Sequence, residues 1–156
     1  MNDGYDLQLP AACLLRPANA NDLWSIRRLV FGAKLDPTQI CWQQFWVIES
    51  INKVVACAQL RNFTDAQELG SLVVCPEWRG KGLGRLLTKH LISQATQPLY
   101  LECLGKRLVD FYRPSGFITF PFEQLPRSLQ NKFRLSQLGK IIICLPVNFM
   151  HYPENY

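Results

Sequence analysis

Leu72-Val73-Val74-Cys75-Pro76-Glu77-Trp78-Arg79-Gly80-Lys81-Gly82-Leu83-Gly84-Arg85-Leu86-Leu87 changes its periodicity midway. Leu72 to Cys75 is a short apolar run rich in β-branched residues, closed by Pro76, and it predicts a strand. From Leu83 onward, Leu83, Leu86, Leu87, His90 and Leu91 recur at i, i+3, i+4, i+7 and i+8, one face of a helix. Between the two, Arg79 to Gly84 spells Arg-x-x-Gly-x-Gly. A glycine turn feeding a helix N-terminus offers backbone N–H groups without intrahelical partners and the positive end of the helix dipole, which together bind phosphate. Gly82 and Gly84 carry no Cβ, so an anion can approach the backbone itself.

Alone, such a motif arises by chance in about one chain in ten of this length, given ordinary glycine usage. The strand before it and the helix within it make it specific. Two other glycine loops fit poorly. A P-loop needs a hydroxyl residue after Gly-Lys, and Lys81-Gly82 lacks one; a dinucleotide fingerprint needs a third glycine that is missing here.

Outward from this stretch, the pattern predicts a first strand over Ala12–Arg16 and a helix capped by Asn19 or Asn21 with Leu23, Ile26 and Val30 on one face. Paired strands follow over Phe45–Glu49 and Lys53–Leu60 around a Ser50-Ile51-Asn52 turn, then a fourth over Glu68–Cys75. The phosphate-loop helix runs to about Ala95. Beyond it come a fifth strand over Pro98–Leu104, a short helix over Lys106–Tyr112 and a sixth strand over Phe117–Phe120. A partly helical stretch over Glu123–Leu138 and a last strand over Lys140–Leu145 complete the pattern. An antiparallel meander joined to a βαβ crossover gives a mixed, largely antiparallel α/β (α+β) sheet of about seven strands with helices on both faces. Residues 1–156 read as one domain, with 1–10 a flexible leader and 147–156 a C-terminal tail.

The apolar and charged fractions, 48% and 19%, are those of an ordinary globular protein. The net charge of +5 is mild, and with no dense Lys/Arg run there is no nucleic-acid footprint. The six cysteines show no Cys-x-x-Cys spacing, so no metal site is expected; Cys57, Cys75, Cys103 and Cys144 fall in apolar runs and read as core hydrophobes in a reducing cytoplasm. No signal peptide and no apolar run of membrane-spanning length is present, so no membrane partner is expected. Two fates are open to the apolar content of Phe117–Val147: the edge of a homodimer, or plain core.

Val-x-Pro-Glu-Trp-Arg-Gly-Lys-Gly-Leu-Gly-Arg-Leu-Leu resembles the acetyl-coenzyme A motif of the GNAT superfamily of N-acetyltransferases. Downstream, Leu99-Tyr100-Leu101-Glu102 and Phe111-Tyr112-Arg113-Pro114-Ser115-Gly116-Phe117 resemble the family's fifth strand and its Tyr-x-x-x-Gly-Phe segment, in family order. The resemblance implies a GNAT-like fold and transfer of an acetyl group from acetyl-coenzyme A to a primary amine: a small molecule, a lysine or a protein N-terminus. It places the pyrophosphate over the backbone of Arg79, Gly80, Lys81, Gly82, Leu83, Gly84 and Arg85. Leu72, Val73 and Val74 would pair with the pantetheine arm and offer an N–H to the thioester oxygen. Tyr112 stands where the family's thiolate-protonating tyrosine stands, beside the cofactor.

For the base, Glu102 is a carboxylate in an otherwise apolar strand, costly there unless it faces a cleft, and it matches the base position of some N-terminal-amine acetyltransferases. Glu68 is its rival, and a water chain is the third option. One departure from the family is plain: Gly105-Lys106-Arg107 stands where an asparagine often contacts the cofactor. His90 lies on the leucine face of its helix and reads as packing, as do Trp42 and Trp46. The rival readings are a non-catalytic acetyl- or acyl-coenzyme A sensor or interaction module and, on the glycine loop alone, a nucleotide-phosphate binder.

Overall fold

The computed structural model describes residues 8–153. The chain forms β1 (Cys13–Pro17), α1 (Leu23–Gly32), β2 (Phe45–Ser50), β3 (Lys53–Asn62), β4 (Gln67–Val74), α2 (Leu83–Gln94), β5 (Leu99–Leu104), α3 (Gly105–Tyr112), β6 (Ile118–Thr119), α4 (Arg127–Ile143) and β7 (Val147–Tyr152). The seven strands run in the order β1-β2-β3-β4-β5-β7-β6. Pairing is antiparallel for β1–β2, β2–β3, β5–β7 and β6–β7, and parallel for β4–β5. The mixed sheet expected from the sequence is therefore present. The β4–β5 ladder joins Gln67 to Leu99 and Glu68 to Tyr100, and β4 continues past that last pair to Val74.

The described residues gather into two compact units, residues 8–59 with Ser71–Leu91, and Leu60–Gly70 with residues 92–153. In the first, Ile26 and Val30 of α1 pack with Ala18, Phe45, Val47, Cys57 and Val73. A capping box closes the short 3-10 turn, Ala20–Asp22, that leads into α1. The Asn19 side chain accepts from the Asn21 N–H at 2.9 Å, and Asp22 accepts from the Asn19 N–H at 2.8 Å. Arg16 ties this cap to the sheet through Asp22 (2.7 Å) and Glu49 (2.5 Å). In the second unit, Leu125, Leu129 and Phe133 pack with Ala66, Tyr100, Val147 and Phe149.

Near the C-terminus the structure departs from the expected pattern. Lys140–Leu145 is not a strand: residues up to Ile143 continue α4, and Cys144 closes the helix in a left-handed conformation (φ 54°), its N–H bonded to the Gly139 carbonyl. Ile141, Ile142 and Ile143 are exposed, so this run lacks the burial that turns β-branched residues into a core strand. Residues 147–152, read as tail, form β7, which buries Val147, Phe149, Met150 and Tyr152 and pairs with β5 along its length. Cys144 is accordingly exposed, not a core residue. The expected leader falls mostly on residues outside those described, as do the last three residues of the tail.

Candidate active site

Strand β4 carries a local distortion that the sequence reading missed. Ser71 sits mid-strand in the left-handed region (φ 50°), costly for a residue with a Cβ and a mark of re-aimed backbone. Its carbonyl accepts from Cys57 Sγ at 3.8 Å and its hydroxyl lies 3.5 Å from Gln59 Oε1. The Gly70-Ser71 pair inside an apolar strand was the available signal. Beyond it Val73 is buried in the core, and Leu72 and Val74 are half-buried.

The loop after β4 has the predicted shape. Gly80 (φ 75°) and Gly82 (φ 82°) both adopt left-handed backbone, and the first bond of α2 runs from the Leu86 N–H to the Gly82 carbonyl at 3.0 Å. The free N–H groups of the first turn therefore belong to the Gly82–Arg85 segment. Arg79, Lys81 and Arg85 are exposed. The Arg79 Nε donates to the Val74 carbonyl at 3.2 Å, and Lys81 Nζ lies 4.3 Å from the centre of the Trp78 ring. The loop thus combines open backbone donors with three cationic side chains.

The two candidate bases meet in one buried cluster of the second unit. Glu68 Oε1 accepts from Arg61 Nη1 at 3.1 Å and from Lys132 Nζ at 2.5 Å, and its Oε2 also accepts from Lys132. The side chains of Arg61, Glu68 and Lys132 are 11%, 4% and 15% exposed, so these pairs are screened little by water. Gly70 makes room for this: a Cβ there would lie 2.2 Å from Arg61 Nη1. Glu102 Oε1 accepts from Ser136 Oγ at 3.1 Å, while its buried Oε2 has no hydrogen-bond partner among the described residues. Burial pushes the Glu102 carboxyl above its ordinary range; Ser136 and Lys132 pull it back, and the Glu68 charge adds to the rise. Burial pushes Lys132 below the ordinary lysine value, opposed by Glu68.

Tyr112 ends α3 and is buried, its ring against Phe111 (4.9 Å) and Phe117 (5.8 Å). Burial raises its phenol well above the ordinary value, so it is protonated at neutral pH. Gly116 (φ 101°) turns the chain from α3 into Phe117. At the departure from the family pattern, Gly105 (φ 79°) opens α3 directly, its N–H bonded to the Pro146 carbonyl at 2.7 Å. His90 is half-buried with its ring 4.1 Å from Trp46, as a packing role requires. Among the described residues no group of three His, Cys, Asp or Glu side chains could hold a metal, and no helix is long and apolar enough to cross a membrane.

Arg61, Lys132 and Ser136 were missed by sequence reasoning. Lys132 and Glu68 are 64 positions apart, too far for any local pattern to join them. The available hint was a lysine directly before Phe133 in a helix whose apolar residues, Leu129 and Phe133, need burial.

The acetyltransferase (GNAT) domain model matches residues 41–119, half of the chain, spanning β2 to β6. The amino-acid acetyltransferase of Shewanella oneidensis is 28% identical over 152 residues, covering 89% of this chain and 34% of the relative. That of Salmonella arizonae is 24% identical over 153 residues, covering 90% of this chain and 34% of the relative. The chain spans about a third of the length of the curated relatives it matches. In fold it is similar to N-acetylglutamate synthase from Neisseria gonorrhoeae complexed with coenzyme A and N-acetyl-glutamate. That match has a TM-score of 0.74 at 20% identity and covers 94% of this chain and 36% of that one. A Mycobacterium tuberculosis protein in complex with CoA and NLQ matches with TM-score 0.69 at 19% identity, covering 88% of this chain and 97% of that one.

Proposed function

This chain belongs to the GNAT acetyltransferase family, and we propose that it transfers an acetyl group from acetyl-coenzyme A to the amine of an amino acid. The observation that carries the reading is the family match over β4, the glycine loop, α2 and Tyr112 together. The relatives named amino-acid acetyltransferases support the acceptor class.

Acetyl-coenzyme A supplies the thioester; this chain's residues hold it and move the protons. The N–H groups of the Gly82–Arg85 segment, with Arg79, Lys81 and Arg85, fit a pyrophosphate. The backbone of Leu72, Val73 and Val74, just past the Ser71 distortion, pairs with the pantetheine arm and presents an N–H to the thioester oxygen. One such donor is worth about 10²- to 10³-fold in kcat.

Glu102 is the proton acceptor, because its Oε2 has no donor among the described residues and burial raises its carboxyl above the ordinary range. Glu68 acts as a charge partner, since Arg61 and Lys132 take both of its oxygens. Tyr112 is the hydrogen-bond and proton donor to the departing thiolate, kept protonated by burial.

The test is free-thiol release from acetyl-coenzyme A against a panel of L-amino acids, a polyamine and a short peptide, with products identified by mass. Saturable acetylation of an amino acid is expected. Acetylation of the polyamine or peptide alone overturns the acceptor class, and no product with any amine overturns the enzymatic reading.

A further inference from the structure

Helix α4 lies outside residues 41–119, the segment that carries the family match. It is held in place by Leu129 and Phe133, both buried, with the Phe133 ring 5.4 Å from Phe149 of β7. Lys132 and Ser136 are four residues apart, so they stand one above the other on the same face. Lys132 reaches Glu68 on β4, and Ser136 reaches Glu102 on β5.

We propose that Lys132 and Ser136 are positioning residues that fix the proton-accepting state of Glu102. Ser136 anchors the carboxylate through Oε1 and leaves the buried Oε2 without a donor among the described residues, and Lys132 balances the Glu68 charge beside it. The inference rests on Glu102 as the base.

The charge balance carries it. The groups facing Glu102 are Lys132 and Ser136 from α4, Glu68 from β4 and Arg61 from β3, with Cys103 next to it on β5. With Glu102 ionised, two cations face two carboxylates. Without Lys132, one cation faces both, and protonating Glu102 is the least costly relief. The Ser136 hydroxyl donates to Oε1, which favours the ionised form directly. Lys132 is itself held between Glu68 and the Phe133 ring, 4.8 Å from Nζ, so the balance is set from the α4 face.

The test combines carbon-13 NMR titration of the glutamate carboxyls with the pH profile of kcat/KM. The Glu102 signal is assigned by its loss in Glu102→Gln. In Ser136→Ala the Glu102 titration is expected to move up by about half a pH unit, and in Lys132→Met by about one unit, the usual size for a lost bond or charge partner. The ascending limb of kcat/KM moves with it, while the alkaline plateau stays within about two-fold of the parent. Ser136→Thr and Lys132→Arg restore the parent titration. Should Lys132→Met fail to fold, Ser136→Ala alone decides.

An unmoved titration in the variants overturns the inference. So does a plateau that falls alike in Lys132→Met and Lys132→Arg, which marks a merely structural lysine. A titration that moves while Glu102→Gln keeps the ascending limb supports the coupling and overturns the base reading instead.

Discussion

Two glycines with the same backbone handedness should respond very differently to alanine. Gly80 (φ 75°) stands in open space, where a Cβ meets nothing within 4 Å; Gly116 (φ 101°) would put a Cβ 2.7 Å from Tyr152 Cε2 and 3.4 Å from its Cδ2. Left-handed backbone costs an L-residue about 1–2 kcal/mol, offset by about 0.4–1 kcal/mol because alanine also restricts the unfolded chain. Gly80→Ala should therefore lose about 1 kcal/mol. Gly116→Ala adds an overpacked contact against a ring that is 9% exposed and packs on Phe117 at 5.5 Å, worth a further 1–3 kcal/mol or so. Its total is about 2–4 kcal/mol. Urea denaturation followed by tryptophan fluorescence gives both values from midpoints at unchanged slope. The ordering, more than either number, is the test. Equal losses, or a greater loss for Gly80→Ala, would refute the assignment of Gly116 to a packed turn and of Gly80 to an open loop. Gly80→Ala should also weaken acetyl-coenzyme A binding, because a Cβ at a left-handed position strains the turn that sets up the Gly82–Arg85 donors.

Glu102→Gln should lower kcat/KM by about 10²- to 10⁴-fold in steady-state assays and remove the ascending limb. It should also stabilise the protein at pH 7. A carboxyl raised by burial contributes stability below the ordinary carboxylate range and loses it as pH rises through its folded value, so the gain over the parent should shrink toward pH 4 in denaturation series. Tyr112→Phe should lower kcat with little change in acetyl-coenzyme A affinity measured by calorimetry, since it removes one oxygen and no packing. The Arg16 bonds hold Asp22 below the ordinary carboxylate range, so their stabilisation is present at neutral pH and lost as pH falls below about 4. Arg16→Met should accordingly cost about 1–2 kcal/mol at pH 7, discounted for partial exposure, and less as the pH is lowered further below the ordinary carboxylate value.

What was legible in the sequence follows one rule. Leu72–Leu87 announced strand, turn and helix because each signal is local: β-branched run, proline stop, glycine pair, leucine stripe. The six residues from Leu99 to Leu104 announced both a core strand and the anomaly of Glu102 within it. The failures are long-range. Ile141-Ile142-Ile143 has strand composition, yet no sheet edge receives it; β5 is paired instead by Val147–Tyr152, whose alternation is interrupted by Asn148 and His151. The charge cluster joins β3, β4, β5 and α4 across gaps of 7, 34 and 64 positions, and only the fold assembles it. Glu68 was legible as an acid in a strand, but not as one whose oxygens were already taken.

The central claim is a binding claim, and thermal denaturation with acetyl-coenzyme A, coenzyme A, ATP and NAD tests it most directly. A ligand at one hundred times its dissociation constant adds about 2.7 kcal/mol, a shift of several degrees. Stabilisation by acetyl-coenzyme A and coenzyme A, reduced in Gly80→Ala, is the result expected. Stabilisation by ATP or NAD with neither coenzyme A species effective would contradict the account.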